Sequence, residues 1–324
     1  MTEQANPSTQ PLDEHWERQT LQTILLEHVS EQRRARRWGI FFKLLMLVLL
    51  LVLLYAIFYN KDLPQPVAMT QEHTAVIDVK GEIGSDETAS AENIRDSLKT
   101  AFENKHVRGI ILRINSPGGS PVQARQIYDE IRHFKNKYPE TKVFAAIEDM
   151  GTSAAYLIAA AADAIYADKT SLVGSIGAKI DSFGFVGAMD KVGVERRLYV
   201  AGKYKGILDP FLPRKPEEEM FINKQLESVH QAFIDNVRDG RGDRLKDTPE
   251  VFSGLFWTGD DSVNLGLIDG FGDVYSIARE IIKTENMVDY TQSSNFLDRF
   301  ARRVGASMGT SMALHLGVIQ KGAR

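Results

Sequence analysis

The sequence predicts an α/β domain with a largely parallel sheet, preceded by one apolar segment long enough to anchor it in a membrane. Three observations lead there. Between residues 73 and 163, Val- and Ile-rich strand patterns alternate with helical patterns at short intervals, as parallel βαβ units do. From Trp38 to Tyr59 the chain is almost wholly apolar, and as a helix it would span roughly 33 Å. The third is composition: 324 residues with 43% hydrophobic side chains are enough for one substantial core.

Composition also excludes. A net charge of -4 leaves no basic excess for a nucleic acid. Cysteine is absent, so neither a disulfide nor a thiolate metal site can form, and cysteine usage does not locate the protein. The seven histidines stand singly at 15, 28, 73, 106, 133, 230 and 315, without the paired spacing of a zinc hydrolase.

Taken in order, residues 1–37 are polar, with Pro7 and Pro11, a short helical pattern LQTILLEHV, and the cluster Arg33, Arg34, Arg36 and Arg37. Only Lys43 interrupts the apolar run that follows, one turn inside its arginine end, where its stem can snorkel to the headgroups. The positive-inside rule then places the N-terminus in the cytoplasm and the large C-terminal part across the membrane. The apolar core is too long for a cleavable signal and is followed by KDLPQPVAM, so an uncleaved anchor is expected, with Pro64 and Pro66 stiffening a stalk.

HTAVIDVKGEI (73–83) alternates as a half-buried strand should, AENIRDSLKTAFEN reads as a helix, and VRGIILRI as a buried strand ending in the turn cluster NSPGGSP at 115–121. Residues 122–137 have helical spacing, with Val122, Ile127, Ile131 and Phe134 on one face. KVFAAIE (142–148) is a second buried strand, followed by MGTSAAY and an alanine-rich helix. DAIYAD reads as a short strand, SLVGSIGA as a glycine-broken strand or turn, and ERRLYVAGKYK as a strand. ILDPFLPRKP is a loop; residues 215–242 form a long helix with Met220, Ile222, Leu226, Val229, Phe233 and Val237 near helical spacing; 251–282 give a short strand, a turn and a closing helix. The end, from about Tyr290, reads either as a basic amphipathic tail or as a loosely ordered terminus.

Chemistry centres on Ser153. Its small neighbours Gly151, Ala154 and Ala155 leave room around a hydroxyl at a strand-to-helix junction, the setting of a nucleophile, although a serine there also serves as a plain N-cap. No histidine is marked as its base. A lysine can serve if desolvation lowers its pKa from ~10.4. Lys203 and Lys205, in LYVAGKYKGILDP, lie among small and apolar residues and share one strand face, so spacing alone does not separate them. Pro117, Gly118 and Gly119 form a glycine turn of the kind that presents N–H groups to an oxyanion.

Together, INSPGGS (114–120), MGTSAAYLIAAAAD (150–163), SLVGSIGA (171–178), YKGILDPF (204–211) and FWTGDDSVNLGLIDGFG (256–272) resemble the signal peptide peptidase A family of membrane-bound serine proteases, in consistent order from about residue 73 to 285. The resemblance implies a Clp protease/crotonase-like spiral of strand-strand-helix units and a Ser/Lys dyad, with Ser153 as nucleophile, Lys205 as base, Ser175 orienting the lysine, and Gly118 and Gly119 at the oxyanion turn. It implies no metal and no organic cofactor. The short single-repeat form implies a homo-oligomeric ring over the membrane, with Ser153 and Lys205 from neighbouring protomers. One departure is Ala154 and Ala155, where many members carry glycine. The implied organisation is a cytoplasmic segment 1–37, a transmembrane anchor 38–60, a stalk 61–72, a peptidase domain 73–285 and a C-terminal tail 286–324. The expected function is a serine endopeptidase of the bacterial inner membrane, with its catalytic domain outside the cytoplasm, acting on hydrophobic peptides such as signal peptide remnants. The rivals are a catalytically degenerate scaffold and a crotonase-type acyl-CoA enzyme.

Overall fold

We describe the protein from a computed structural model, in which residues 33–34, 36–53 and 67–292 are described. The expected N-terminal helix LQTILLEHV, the stalk prolines and the tail beyond 292 lie outside the described residues. The chain divides into two units, Met1–Gln65 and Pro66–Arg324.

In the first unit, residues 36–53 form a helix, α1, whose apolar side chains from Trp38 to Leu53 are exposed. Residues 54–60 of the expected span 38–60 lie outside the described residues. Among the described residues no helix is long and apolar enough to cross a membrane.

The second unit is a mixed α/β domain whose sheet is mostly parallel. After a short turn of helix, α2 (Val67–Thr70), the order is β1 (His73–Ile83), α3 (Ala91–Glu103), β2 (Val107–Gly119), α4 (Pro121–Lys137), β3 (Lys142–Thr152), α5 (Ala154–Ala160), β4 (Ala164–Ala167) and β5 (Leu172–Gly174). Then come α6 (Val186–Val192), α7 (Pro216–Arg241), β6 (Phe256–Thr258), α8 (Gly259–Leu265), β7 (Gly270–Phe271), α9 (Val274–Ser276), which continues as a π-helical turn, and β8 (Met287–Asp289). The eight strands run β6-β5-β3-β2-β1-β8, with β4 beside β3 and β7 beside β4, and only the β5–β6 pair is antiparallel.

Strand periodicity sorts the core. Ala75, Ile77 and Val79 of β1, Ile110, Leu112 and Ile114 of β2 and Ala145 and Ile147 of β3 share the larger cluster with the helices α3, α4 and α5. Their neighbours Val76, Ile111 and Ala146 point the other way and meet Val274, Ile277 and Ala278. β1 was expected to be half-buried, but it lies inside the sheet between β2 and β8, so both faces are covered. Helix caps close the register: Ser90 accepts from the Asn93 N–H, and Ser120 from the Gln123 N–H, with Pro121 at the first turn of α4.

Several expectations change. Residues 115–119 are not a turn after β2 but its last residues, pairing with β1 and β3, and the chain turns only at Ser120. Val122 is exposed, and Ala124 takes the buried position instead. The stretch ERRLYVAGKYK is not a strand: residues 194–205 carry no strand pairing and are largely exposed. In α7 only the C-terminal part is buried, at Phe233, Ile234 and Val237, while Met220 and Val229 face outward. The strand β8, within the stretch expected for the tail, was not foreseen. Its end is fixed by Tyr290, whose hydroxyl lies 2.8 Å from His73 Nε2 and accepts from Asn104 Nδ2 at 2.7 Å.

Candidate active site

β3 changes partner along its length. Phe144–Ile147 pair with β4, and Met150–Thr152 pair with β5. Ser153 follows directly, at the point where the chain leaves the fork and enters α5. Its backbone has φ 54 and ψ -126, a left-handed conformation that a non-glycine residue adopts only when the surroundings impose it. Three features impose it here. The Ser153 N–H donates to the Gly174 carbonyl of β5 at 2.8 Å, and the Leu157 N–H donates back to the Ser153 carbonyl at 3.2 Å. Behind the turn, α5 is buried throughout, from Ala154 to Ala160. The side chain makes no capping hydrogen bond, so an ordinary N-cap does not explain the residue.

The two glycines of β2 have different tasks. A Cβ on Gly118, at φ 105, would stand 2.8 Å from Ser153 Cβ and 3.0 Å from the Ala154 nitrogen. One on Gly119 would meet the Ile83 carbonyl oxygen at 2.2 Å. Gly118 thus lets β2 lie against the serine, and Gly119 lets it lie against β1. The Gly118 N–H donates to Ser116 Oγ at 3.1 Å, a bond buried within the domain. Ser116 went unassigned in the sequence, although a serine two residues before a turn glycine is the pattern for this bond.

Ser175 lies beside Ser153, one residue past the Gly174 that holds it. It is left-handed too, at φ 51. Its N–H donates to the Leu255 carbonyl at 2.8 Å and its hydroxyl to the Gly254 carbonyl at 3.3 Å. Ser153, Gly118 and Ser175 are therefore gathered at the C-terminal ends of β2, β3 and β5.

The lysines are not. Lys205 sits on an exposed turn, where its N–H donates to the Gly202 carbonyl at 3.1 Å, and its ammonium makes no hydrogen bond or ion pair with a described residue. Lys203 Nζ lies 4.9 Å from the centre of the Tyr204 ring, and interaction with Tyr204 raises its pKa from the ordinary lysine value. That shift favours the charged form, the opposite of what a general base needs. Among the described residues no group of acidic or histidine side chains is placed to hold a metal ion.

Comparison with known proteins follows this geometry. Residues 135–288 match the model of Peptidase family S49, and residues 68–169 match that of Clp protease. These matches support a relation to the signal peptide peptidase A family. The chain is 29% identical over 252 residues to the Arabidopsis thaliana protein named Serine protease SPPA, chloroplastic, covering 75% of this chain and 37% of that one. It is 26% identical over 238 residues to Protease 4 of Haemophilus influenzae, covering 73% and 37% respectively. A Brucella melitensis protein named Na(+)/H(+) antiporter NhaA is 43% identical over 236 residues, which are 71% of this chain and 32% of that protein. The chain thus spans about a third of the length of these relatives. The mostly parallel α/β sheet is consistent with a Clp protease-like fold.

Proposed function

We propose that the protein is a membrane-anchored serine endopeptidase that cuts hydrophobic, membrane-associated peptides such as signal peptide remnants. The observation that carries the reading is Ser153: a left-handed serine without a capping bond, in contact with a glycine of the neighbouring strand. Ser153 Oγ attacks the peptide carbonyl, and Lys205 accepts its proton and returns it to the leaving amine. Gly118 and Gly119, the last residues of β2, shape the oxyanion side of the site, and Ser175 orients the lysine. A base lysine must be desolvated, whereas Lys205 is exposed in the single chain. We therefore assign Lys205 to the Ser153 of a neighbouring protomer in a homo-oligomeric ring. Large apolar side chains exposed in the segment that leads to it, including Phe183, Val192 and Tyr199, support such a contact. The apolar run beginning at Trp38 is the anchor, with the domain outside the cytoplasm of a bacterial cell. The antiporter name of the Brucella relative is not carried over, because the shared stretch is a third of that protein.

The test is cleavage of a hydrophobic fluorogenic peptide by the full chain in detergent. Ser153→Ala and Lys205→Ala are expected to lose at least about a thousandfold in kcat with assembly intact, and Lys203→Ala to stay near wild type. Wild-type activity in the Ser153 variant would end the proposal.

A further inference from the structure

The catalytic turn has a second wall that the proposed chemistry does not use. Gly174, which accepts the Ser153 N–H, has φ 98, and Ser175 follows at φ 51. On the side away from β3, β5 pairs with β6, where Trp257 stands opposite Val173. A Cβ on Gly174 would lie 3.0 Å from Trp257 Cδ1 and 3.6 Å from Nε1, so the indole rests directly on the Gly174 backbone. Gly254 and Leu255, just upstream on the same segment, hold Ser175 through their carbonyls.

Trp257 Nε1 is the one buried side-chain nitrogen or oxygen among the described residues without a hydrogen-bond partner. Buried donors are nearly always paired, so this ring is held by packing rather than by its N–H. Ser153 and Ser175 are two of only four non-glycine residues with positive φ among the described residues, and both flank the backbone that the indole covers. Such conformations persist only where neighbours over-determine them.

We propose that Trp257 is a positioning residue: its ring presses on Gly174, fixes the left-handed Gly174–Ser175 pair and, through the Gly174 carbonyl, sets the backbone of Ser153. The inference rests on the proposed roles of Ser153 and Ser175. Without the wedge, both serines relax toward extended backbone, and a displacement near an ångström costs on the order of a hundredfold in rate.

The experiment uses the full chain in detergent, with Trp257→Ala, and Trp257→Phe, which keeps a ring but removes the N–H. Amide hydrogen exchange over residues 172–176 and at Ser153 is expected to rise in the alanine variant and to stay at the wild-type level in the phenylalanine variant. With the fluorogenic peptide, Trp257→Ala is expected to lose on the order of a hundredfold in kcat with KM little changed, and Trp257→Phe to restore it. Wild-type protection of residues 172–176 in Trp257→Ala overturns the inference, whether or not the protein cleaves peptides. So does a Trp257→Phe variant as impaired as Trp257→Ala, which would place the function in the N–H. If Trp257→Ala unfolds globally, Trp257→Leu is read by the same two measurements. If exchange responds as expected while the wild type shows no Ser153-dependent cleavage, the wedge stands and the peptidase reading alone fails.

Discussion

Gly118 lies against Ser153, and the close approach follows from what each residue lacks. Gly118 has no side chain to strike Ser153, and Ser153 has no capping bond to draw its hydroxyl away. Adding one methyl tests this. Gly118→Ala places a Cβ 2.8 Å from Ser153 Cβ at a φ of 105, so the variant is expected to lose about 1–3 kcal/mol of stability and nearly all cleavage. Urea unfolding and the fluorogenic assay read the two effects separately, and near wild-type turnover would contradict the geometry. At this scale the residue types around Ser153 pointed to a nucleophile but left the N-cap reading open. The backbone angles and the missing capping bond set Ser153 apart from a plain N-cap, and they depend on β5 and β2 rather than on local sequence.

At the scale of elements, α5 is seated by an ion pair at the end of α7 whose guanidinium is buried and whose carboxylate is partly exposed. Arg241, only 1% exposed, donates to both Asp269 carboxylate oxygens at 2.8 and 3.0 Å and to the Gly266 carbonyl at 2.9 Å. Asp269 also accepts the Ile165 N–H at 2.7 Å, so α7, β4 and the loop before β7 meet on one carboxylate. Tyr156, in the first turn of α5, donates to the Leu267 carbonyl of the same loop at 2.7 Å, and burial raises its phenol pKa. Burial also pushes the Asp269 carboxyl up, but the bonds from Arg241 and Ile165 and the two guanidinium charges outweigh it, and the net pKa is lowered from 3.8. A depressed carboxylate contributes stability that is present above the unfolded value and lost as pH falls through the native one. Asp269→Asn is therefore expected to be less stable at neutral pH by about 3–5 kcal/mol, because it leaves Arg241 buried without its charge partner. Its melting temperature should fall less steeply than that of the wild type as pH drops below about 5. Equal acid slopes in the two proteins would show that Asp269 does not carry this linkage.

For the whole molecule, the proposed machinery is divided between a packed sheet and an exposed segment. Ser153, Gly118 and Ser175 sit at the ends of strands that the core holds in place, while Lys205 lies on a turn in a stretch with no strand pairing and many exposed apolar side chains. If the dyad is shared across protomers, mixing two inactive variants repairs some sites. Ser153→Ala co-assembled with Lys205→Ala is expected to recover up to about a quarter of wild-type activity, since one interface in four then pairs an intact serine with an intact lysine. Recovery is read with the fluorogenic peptide after dissociation and reassembly of the mixture. No recovery in well-formed mixed assemblies would place both residues in one chain.

The sequence by itself determined the alternation of strands and helices, the buried strands β2 and β3 and the position of the serine. These follow from local periodicity and from small residues in short motifs, which act over a few neighbours. Tertiary structure alone decided the rest. It extended β2 through residues that read as a turn, because β1 and β3 pair with them on either side. It fixed Ser153 and Ser175 in left-handed backbone, because hydrogen bonds from separate segments of the sheet outweigh the intrinsic preference of a serine. It kept ERRLYVAGKYK out of the sheet, since strand propensity without a partner edge forms no ladder. And it set Trp257 on Gly174, a contact between residues 83 positions apart that no local pattern encodes.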